Sequence, residues 1–207
     1  MKLGVIHASR AAVDVVAEYY ARAEPGWEIT HLLDDGVMRM LRARDWAAAQ
    51  ARLEQHRDDL RRTYGVEQVM VTCSALPLAV VEAMGVHKID VAMARRAGEV
   101  GRRIGVLATF ASTQETTREM ILAFHPDAEI VEVLEEAALV SLLAGDVAAH
   151  DARFFAAVEQ FRGRVDVLVL AQVSMARLRE EAERRLGVPV LESLSTSLEG
   201  LQLRLSM

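Results

Sequence analysis

The chain has 207 residues, 52% of them hydrophobic and 26% charged, with a formal net charge of −6. That is enough for one α/β unit or for two lobes of about 100 residues each. It is too apolar to remain disordered, and too acidic, with no basic stripe, to bind nucleic acid. No apolar run reaches the roughly 18 residues of a membrane span, and the opening apolar stretch is shorter than a secretory signal, so no membrane partner and a cytoplasmic setting are expected. The single cysteine excludes an internal disulfide and a thiolate-cluster zinc site.

Read in chain order, short apolar runs alternate with longer amphipathic ones. Strands are predicted over 2–7, 27–32, 68–72, 86–90, 103–109, 128–133, 165–170 and 188–192. Helices are predicted over 11–23, 47–64, 76–84, 91–102, 113–124, 146–161, 174–186 and 195–205. Val69-Met-Val-Thr72 and Val167-Leu-Val-Leu170 are unbroken rather than alternating, which is how strands of a parallel sheet covered on both faces read. Ser112 and Glu115 have the spacing of a capping box, so a helix should begin at Thr113. Gly65, Gly85 and Gly187 stand where helices should stop. Pro189 marks the last strand as an edge strand or a strand start. Gly36 to Leu41, rich in Met, reads as a filler of the core or of an interface. The arginines at 95, 96, 102 and 103 read as a solvated helix face, and 177–185 as a salt-bridged one. The helix over 47–64 reads as a surface helix that could add to a dimer contact.

The sequence also echoes itself. Lys2-Leu-Gly-Val-Ile6 recurs as Arg103-Ile-Gly-Val-Leu107, and Glu28-Ile-Thr-His-Leu-Leu-Asp-Asp35 recurs as Glu129-Ile-Val-Glu-Val-Leu-Glu-Glu136, each 101 places on. Val69-Met-Val-Thr-Cys-Ser74 faces Leu168-Val-Leu-Ala-Gln-Val173, and Gly85-Val-His-Lys-Ile-Asp90 faces Gly187-Val-Pro-Val-Leu-Glu192. Four strand positions repeating in order indicate duplication of a four-stranded unit. The expected fold is α/β, with two pseudo-symmetric lobes, each a four-stranded parallel sheet flanked by helices. The first lobe is expected over 1–100 and the second over 101–194, with the C-terminal helix 195–207 returning to the first.

In such sheets ligands bind beyond the C-terminal ends of the strands, and two copies would present two such ends to one cleft. The residues expected there are His7, Ser9, Thr72, Cys73 and Ser74 in the first lobe. In the second they are Thr109, Ser112, Thr113, Gln172 and Ser174. Hydroxyls and helix N-termini can hold a carboxylate without basic side chains. Each serine or threonine can equally be a helix cap. Cys73 is expected at a strand-to-helix corner, near a helix start at 75–77 whose dipole would favour thiolate; the alternative is a small core residue. His7, with an ordinary pKa near 6.5, is the other titratable group at these strand ends; it can equally be a hydrogen-bonded structural histidine. His31 and His87 lie at strand edges with no role assigned. His56, His125 and His150 show no partnering carboxylate pattern. No metal-ligand spacing, dinucleotide fingerprint, P-loop or Schiff-base lysine is visible, so no metal and no cofactor are expected.

These residues resemble the aspartate/glutamate/hydantoin racemase superfamily over essentially the whole chain. Thr72-Cys73-Ser74 is similar to its first Asn-Cys-Thr/Ser motif, Ile104 to Thr113 to the start of its second lobe, and Asp166 to Met175 to its second-cysteine strand. Glu135-Glu136-Ala137 and Leu191-Glu192-Ser193 also fit. The resemblance implies a cofactor-independent isomerase, of racemase or epimerase type, that acts on a small carboxylate such as an amino acid or a dicarboxylate. It implies Cys73 as base or nucleophile, carboxylate binding by the hydroxyl loops, and a homodimer. Where the family carries its second cysteine, this chain has Gln172, which has no proton to give at neutral pH, so two-thiol racemisation is not available. Gln172 could instead donate its amide to a carboxylate or enolate, and His7 could take the second proton role. Two other readings remain: a one-base decarboxylase or lyase of the same superfamily, and a non-catalytic carboxylate-binding protein.

Overall fold

The computed structural model describes residues 1–205 and contains two compact units, Met1–Ile89 and Asp90–Met207. In the first unit β1 (Lys2–His7), α1 (Arg10–Ala23), β2 (Glu28–Leu33), α2 (Gly36–Arg42), α3 (Trp46–Tyr64), β3 (Gln68–Val71), α4 (Leu78–Met84) and β4 (His87–Lys88) follow one another. The four strands are parallel in the order β2-β1-β3-β4. β1 and β3 are central and buried on both faces along most of their length, which is why their sequences do not alternate. Leu53 and Leu60 of α3, Val37 and Leu41 of α2, and Val81 and Met84 of α4 share one core cluster with Ile6, Val69 and Val71. Each fully buried side chain of this size contributes about 1.5–3 kcal/mol.

The second unit runs α5 (Val91–Val100), β5 (Arg103–Ala108), α6 (Ala111–Phe124), β6 (Glu129–Leu134), α7 (Glu136–Leu143), α8 (Val147–Glu159), β7 (Val167–Leu170), a 3-10 turn (Val173–Leu178), α9 (Arg179–Leu186), β8 (Val190–Leu191) and α10 (Ser193–Leu205). Its sheet is also parallel, in the order β6-β5-β7-β8, the same order as the first. Phe154, Phe161, Leu107, Leu168 and Leu170 anchor its core. α5 packs against α6 and α10, so the division between the units falls before α5, earlier than the expected boundary at 100. Residues 206 and 207 of the helix expected over 195–207 lie outside the described residues.

The repeat extends into side-chain detail. Asp45 caps α3 by accepting from the Ala48 N–H, and Asp146 caps α8 by accepting from the Ala149 N–H. A Cβ on Gly4 would meet Leu60 of α3 at 3.0 Å, and one on Gly105 would meet Phe161, just beyond the end of α8, at 2.9 Å, so a large side chain covers the same bare strand position in both units. Arg52 pairs with Asp34, and Arg153 approaches Glu135. All three correspondences preserve the 101-residue offset of the strand echoes.

Several local expectations are corrected. α2 and α7 are helices that periodicity did not reveal, because each is about two turns long. The helix expected over 174–186 is a 3-10 turn followed by α9. α6 begins at Ala111 with Phe110 as its cap residue, so Ser112 lies inside the first turn and makes no capping box. α10 starts at Ser193 because the Glu192 carboxylate accepts from the Leu194 and Ser195 N–H groups at 2.6 and 2.9 Å. Gly65, Gly85 and Gly187 do end helices, each with a positive φ. Pro189 immediately precedes β8, an edge strand.

Candidate functional site

The C-terminal ends of β1 and β3 place His7 and Thr72 side by side, with Thr72 Oγ1 3.1 Å from His7 Nδ1. His7 is fully buried and Thr72 nearly so. The other ring nitrogen of His7, Nε2, lies 2.9 Å from Nδ1 of His31 on β2. His31 pairs with Val5 in the sheet register, so adjacent strands alone bring the two rings together. Burial, then the charge of His31, pushes the His7 pKa down to about 4, and burial also lowers that of His31. The expected ordinary imidazole at position 7 is therefore corrected: at neutral pH His7 is an uncharged ring with both nitrogens engaged. His31 has a partner that its place on an edge strand did not reveal.

Cys73 follows Thr72 and is 7% exposed, within the core cluster that also holds Ala8, Ala75 and Leu76. The helix start expected at 75–77 falls later. α4 begins at Leu78 after Pro77, and Cys73 instead opens a turn in which its carbonyl accepts from the Leu76 N–H at 3.2 Å. No helix N-terminus therefore lies next to the thiol to favour its thiolate. Ser74 is also buried, and its carbonyl accepts from the ammonium of Lys88, itself 4% exposed, at 3.2 Å. Lys88, at the end of β4, is a buried cation that sequence reading passed over. Its only sequence signal was a lysine inside an apolar strand. Ser9 is exposed at the cap position of α1 and makes no side-chain capping bond.

In the second unit the equivalent strand ends carry Thr109 and Gln172. Gln172 stands two residues beyond β7, as Cys73 stands two beyond β3. Its carboxamide grips Thr109 twice: Oε1 accepts from the Thr109 N–H at 3.0 Å, and Nε2 donates to Thr109 Oγ1 at 2.9 Å. Thr109 was expected to offer its backbone N–H to a carboxylate; in this structure that N–H is held by Gln172. Ser112 and Thr113 lie in the first turn of α6, with Thr113 buried. Ser174 is half-buried in the 3-10 turn. That turn is fastened to α8 by Arg177, which donates to Asp151 at 2.8 Å.

The histidines read as lacking carboxylates are also corrected. His56 donates to Asp34 at 2.6 Å, and His150 to Asp151 at 2.7 Å. Neither pair is visible as a motif, since Asp34 precedes His56 by 22 residues and His150 adjoins its partner on one helix. Among the described residues, no group of three or more His, Cys, Asp or Glu side chains is arranged to hold a metal ion. Among the same described residues, no helix is long and apolar enough to cross a membrane.

The family model for Asp/Glu/hydantoin racemase matches residues 83–199. The chain belongs to the Asp/Glu/hydantoin racemase family. No curated protein matches it in sequence. Solved structures with this family's fold include allantoin racemase from Klebsiella pneumoniae, at 22% identity and a TM-score of 0.73, covering 100% of this chain and 88% of that one. Glutamate racemase isoform RacE1 from Bacillus anthracis is 18% identical with a TM-score of 0.71, over 97% of this chain and 80% of its own. Aspartate racemase from Picrophilus torridus is 12% identical with a TM-score of 0.70, over 93% of this chain and 88% of its own. The family's two-sheet fold is thus reproduced along almost the whole length of this chain, at identities that speak to fold alone.

Proposed function

We propose that this racemase-family protein is a cofactor-independent isomerase acting at the carbon next to the carboxylate of a small acid, with Cys73 as its base. The observation that carries the reading is the place of the chain's one thiol. Cys73 stands two residues beyond β3, between two buried hydroxyl residues, at the strand ends where ligands of parallel sheets bind. As thiolate, Sγ takes the proton from the α-carbon and the electron pair passes into the carboxylate as an enolate; a proton from water then enters the opposite face, inverting the centre, and the thiol gives its own proton up to solvent. The hydroxyls of Thr72 and Ser74, which flank Cys73 in the chain, are the proposed donors to carboxylate and enolate oxygens. A homodimer and a cytoplasmic setting belong to the same proposal.

Gln172 favours a second reading. A carboxamide has no proton to exchange at neutral pH, and both of its polar atoms are engaged with Thr109. Chemistry on one face only, as in a one-base decarboxylase or lyase, asks nothing more of Gln172 than to hold that turn.

The test is a panel of small carboxylic acids incubated in heavy water with the protein and with Cys73→Ala. Deuterium entering the α-position of one acid, and ceasing with the variant, is the expected result. Exchange that survives Cys73→Ala overturns the thiol's role, and no exchange with any acid overturns the isomerase. Appearance of both enantiomers separates isomerase from one-base lyase. A non-catalytic carboxylate-binding protein would bind an acid from the panel while leaving its deuterium content unchanged.

A further inference from the structure

We propose that Thr72, His7 and His31 form a proton wire serving the Cys73 corner, with His31 as its outer member; this rests on the reading of Cys73 as the base. The three side chains come from three adjacent strands, β3, β1 and β2, and are joined by contacts of 3.1 and 2.9 Å. The two imidazole planes lie 24° apart with centroids 5.2 Å apart. With nitrogens at 2.9 Å, that separation describes rings nearly coplanar and end to end, the alignment of an N–H···N bond.

Every proton in this chain has a place in two opposite arrangements. In the first, the Thr72 hydroxyl donates to His7 Nδ1, His7 Nε2–H donates to His31 Nδ1, and His31 carries its proton on Nε2. In the second, His31 Nδ1–H donates to His7 Nε2, His7 Nδ1–H donates to Thr72 Oγ1, and the Thr72 hydroxyl turns to the Ile6 carbonyl, 3.5 Å away. All three groups are neutral in both. Passage from the first to the second moves one proton outward. Thr72 receives the proton of the Cys73 thiol, the next residue in the chain, which is left as thiolate, and gives its own to His7 Nδ1. His7 then gives its Nε2 proton to His31 Nδ1, and His31 releases its Nε2 proton to water. One bond to hydrogen breaks and one forms at each atom pair, and the donor is left with one proton fewer. A thiol base without a second thiol needs such a route, because the proton it collects must be exchanged with solvent. His7 cannot do this alone, being fully buried, whereas His31 is partly exposed. Neutral imidazoles suit the task, since each can accept on one nitrogen while donating from the other.

The deciding measurement is the nitrogen-15 NMR of the imidazoles at pH 7 in the whole protein, which requires no substrate. The expected result is averaged Nδ1 and Nε2 signals for His7, from exchange between the two tautomers, and collapse to one tautomer in His31→Phe, which keeps a ring but no nitrogen. A single fixed tautomer in the unmodified protein overturns the wire, as does averaging that persists in His31→Phe. Should His31→Phe not fold, Thr72→Val provides the same comparison from the other end. With an acid that the protein deuterates, His31→Phe should lower kcat on the order of a hundredfold while KM holds, and free imidazole should restore part of the loss. A kcat that does not move counts against the wire. Failure of deuteration by every acid overturns the isomerase instead, and leaves the NMR result to decide the wire.

Discussion

Gln172 holds Thr109 through both ends of its carboxamide, accepting from the backbone N–H and donating to the hydroxyl. Thr109 is 3% exposed, so neither of its groups has ready access to water if the clamp is lost. Gln172→Ala should cost about 1–3 kcal/mol, the usual penalty for stranding a buried polar group. Gln172→Glu should cost less, since one oxygen still accepts from the N–H and the other accepts from a Thr109 hydroxyl turned to donate. Urea unfolding of the two variants checks this. Equal losses would mean that the clamp does not hold the turn.

The His7–His31 pair makes stability depend on pH in a defined window. Unfolded, His7 gains its proton near pH 6.5; folded, it gains it only near pH 4, because of burial and then the charge of His31. Between those values the unfolded chain binds more protons. Stability is therefore full above pH 6.5, declines as pH falls toward 4, and loses nothing more from this group below that. His31, also lowered by burial, adds in the same direction. The slope is at most about 1.4 kcal/mol per pH unit for each histidine. Urea midpoints taken from pH 7.5 to 4 should fall less steeply in His7→Gln than in the unmodified protein. Parallel curves would show that His7 does not carry the effect.

Asp34 sets a second, more acidic window. Its carboxylate accepts from Arg52 Nε and His56 Nε2, both at 2.6 Å, and from the Gly36 N–H at 2.9 Å. Burial alone would raise its pKa; the bonds from His56, Arg52 and Gly36, with the charge of Arg52, outweigh that and hold it at about 2. This contribution is present above the ordinary value of 3.8 and is lost as pH falls from there toward 2. Asp34→Asn should destabilise by about 1–3 kcal/mol at pH 7, and by progressively less toward pH 2. A penalty unchanged across that range would remove the carboxylate charge from the explanation.

How much of this was legible in the sequence depended on the range of the interaction. The unbroken runs of β1, β3, β5 and β7 and the echo at 101 residues are local or periodic, and they gave the duplicated parallel sheets. The strand ends marked Thr72, Cys73, Thr109 and Gln172, and the resemblance to the family added a role for the thiol. What the sequence could not show was pairing set by register. His31 meets His7 because β2 lies beside β1, and Asp34 meets His56 because α3 returns over that edge. Gln172 was read as a donor to substrate, yet strand order turns it onto Thr109, 63 residues earlier. The start of α4 was misplaced for a different reason. Leu76 and Pro77 look like the opening of a helix, but they complete a turn begun at Cys73.

Gly98 offers a test of the packing between α5 and α6. A Cβ there would lie 2.1 to 2.3 Å from three ring atoms of His125, far inside contact distance. The ring cannot simply swing away, because its Nε2–H donates to the Arg95 carbonyl at 2.7 Å, and Arg95 in turn lies over the Phe124 ring at 4.0 Å. Alanine is the better helix former, so propensity alone predicts a gain of up to about 1 kcal/mol from Gly98→Ala. Overpacking predicts the opposite, a loss of about 1–3 kcal/mol, and the distances place this site in that regime. Gly98→Ala should therefore destabilise the protein. In a His125→Ala background, where the ring is absent, the same change should be neutral or stabilising, and a thermal-denaturation double-mutant cycle reads the difference directly. The same loss in both backgrounds would show that the ring of His125 is not what excludes a side chain at position 98.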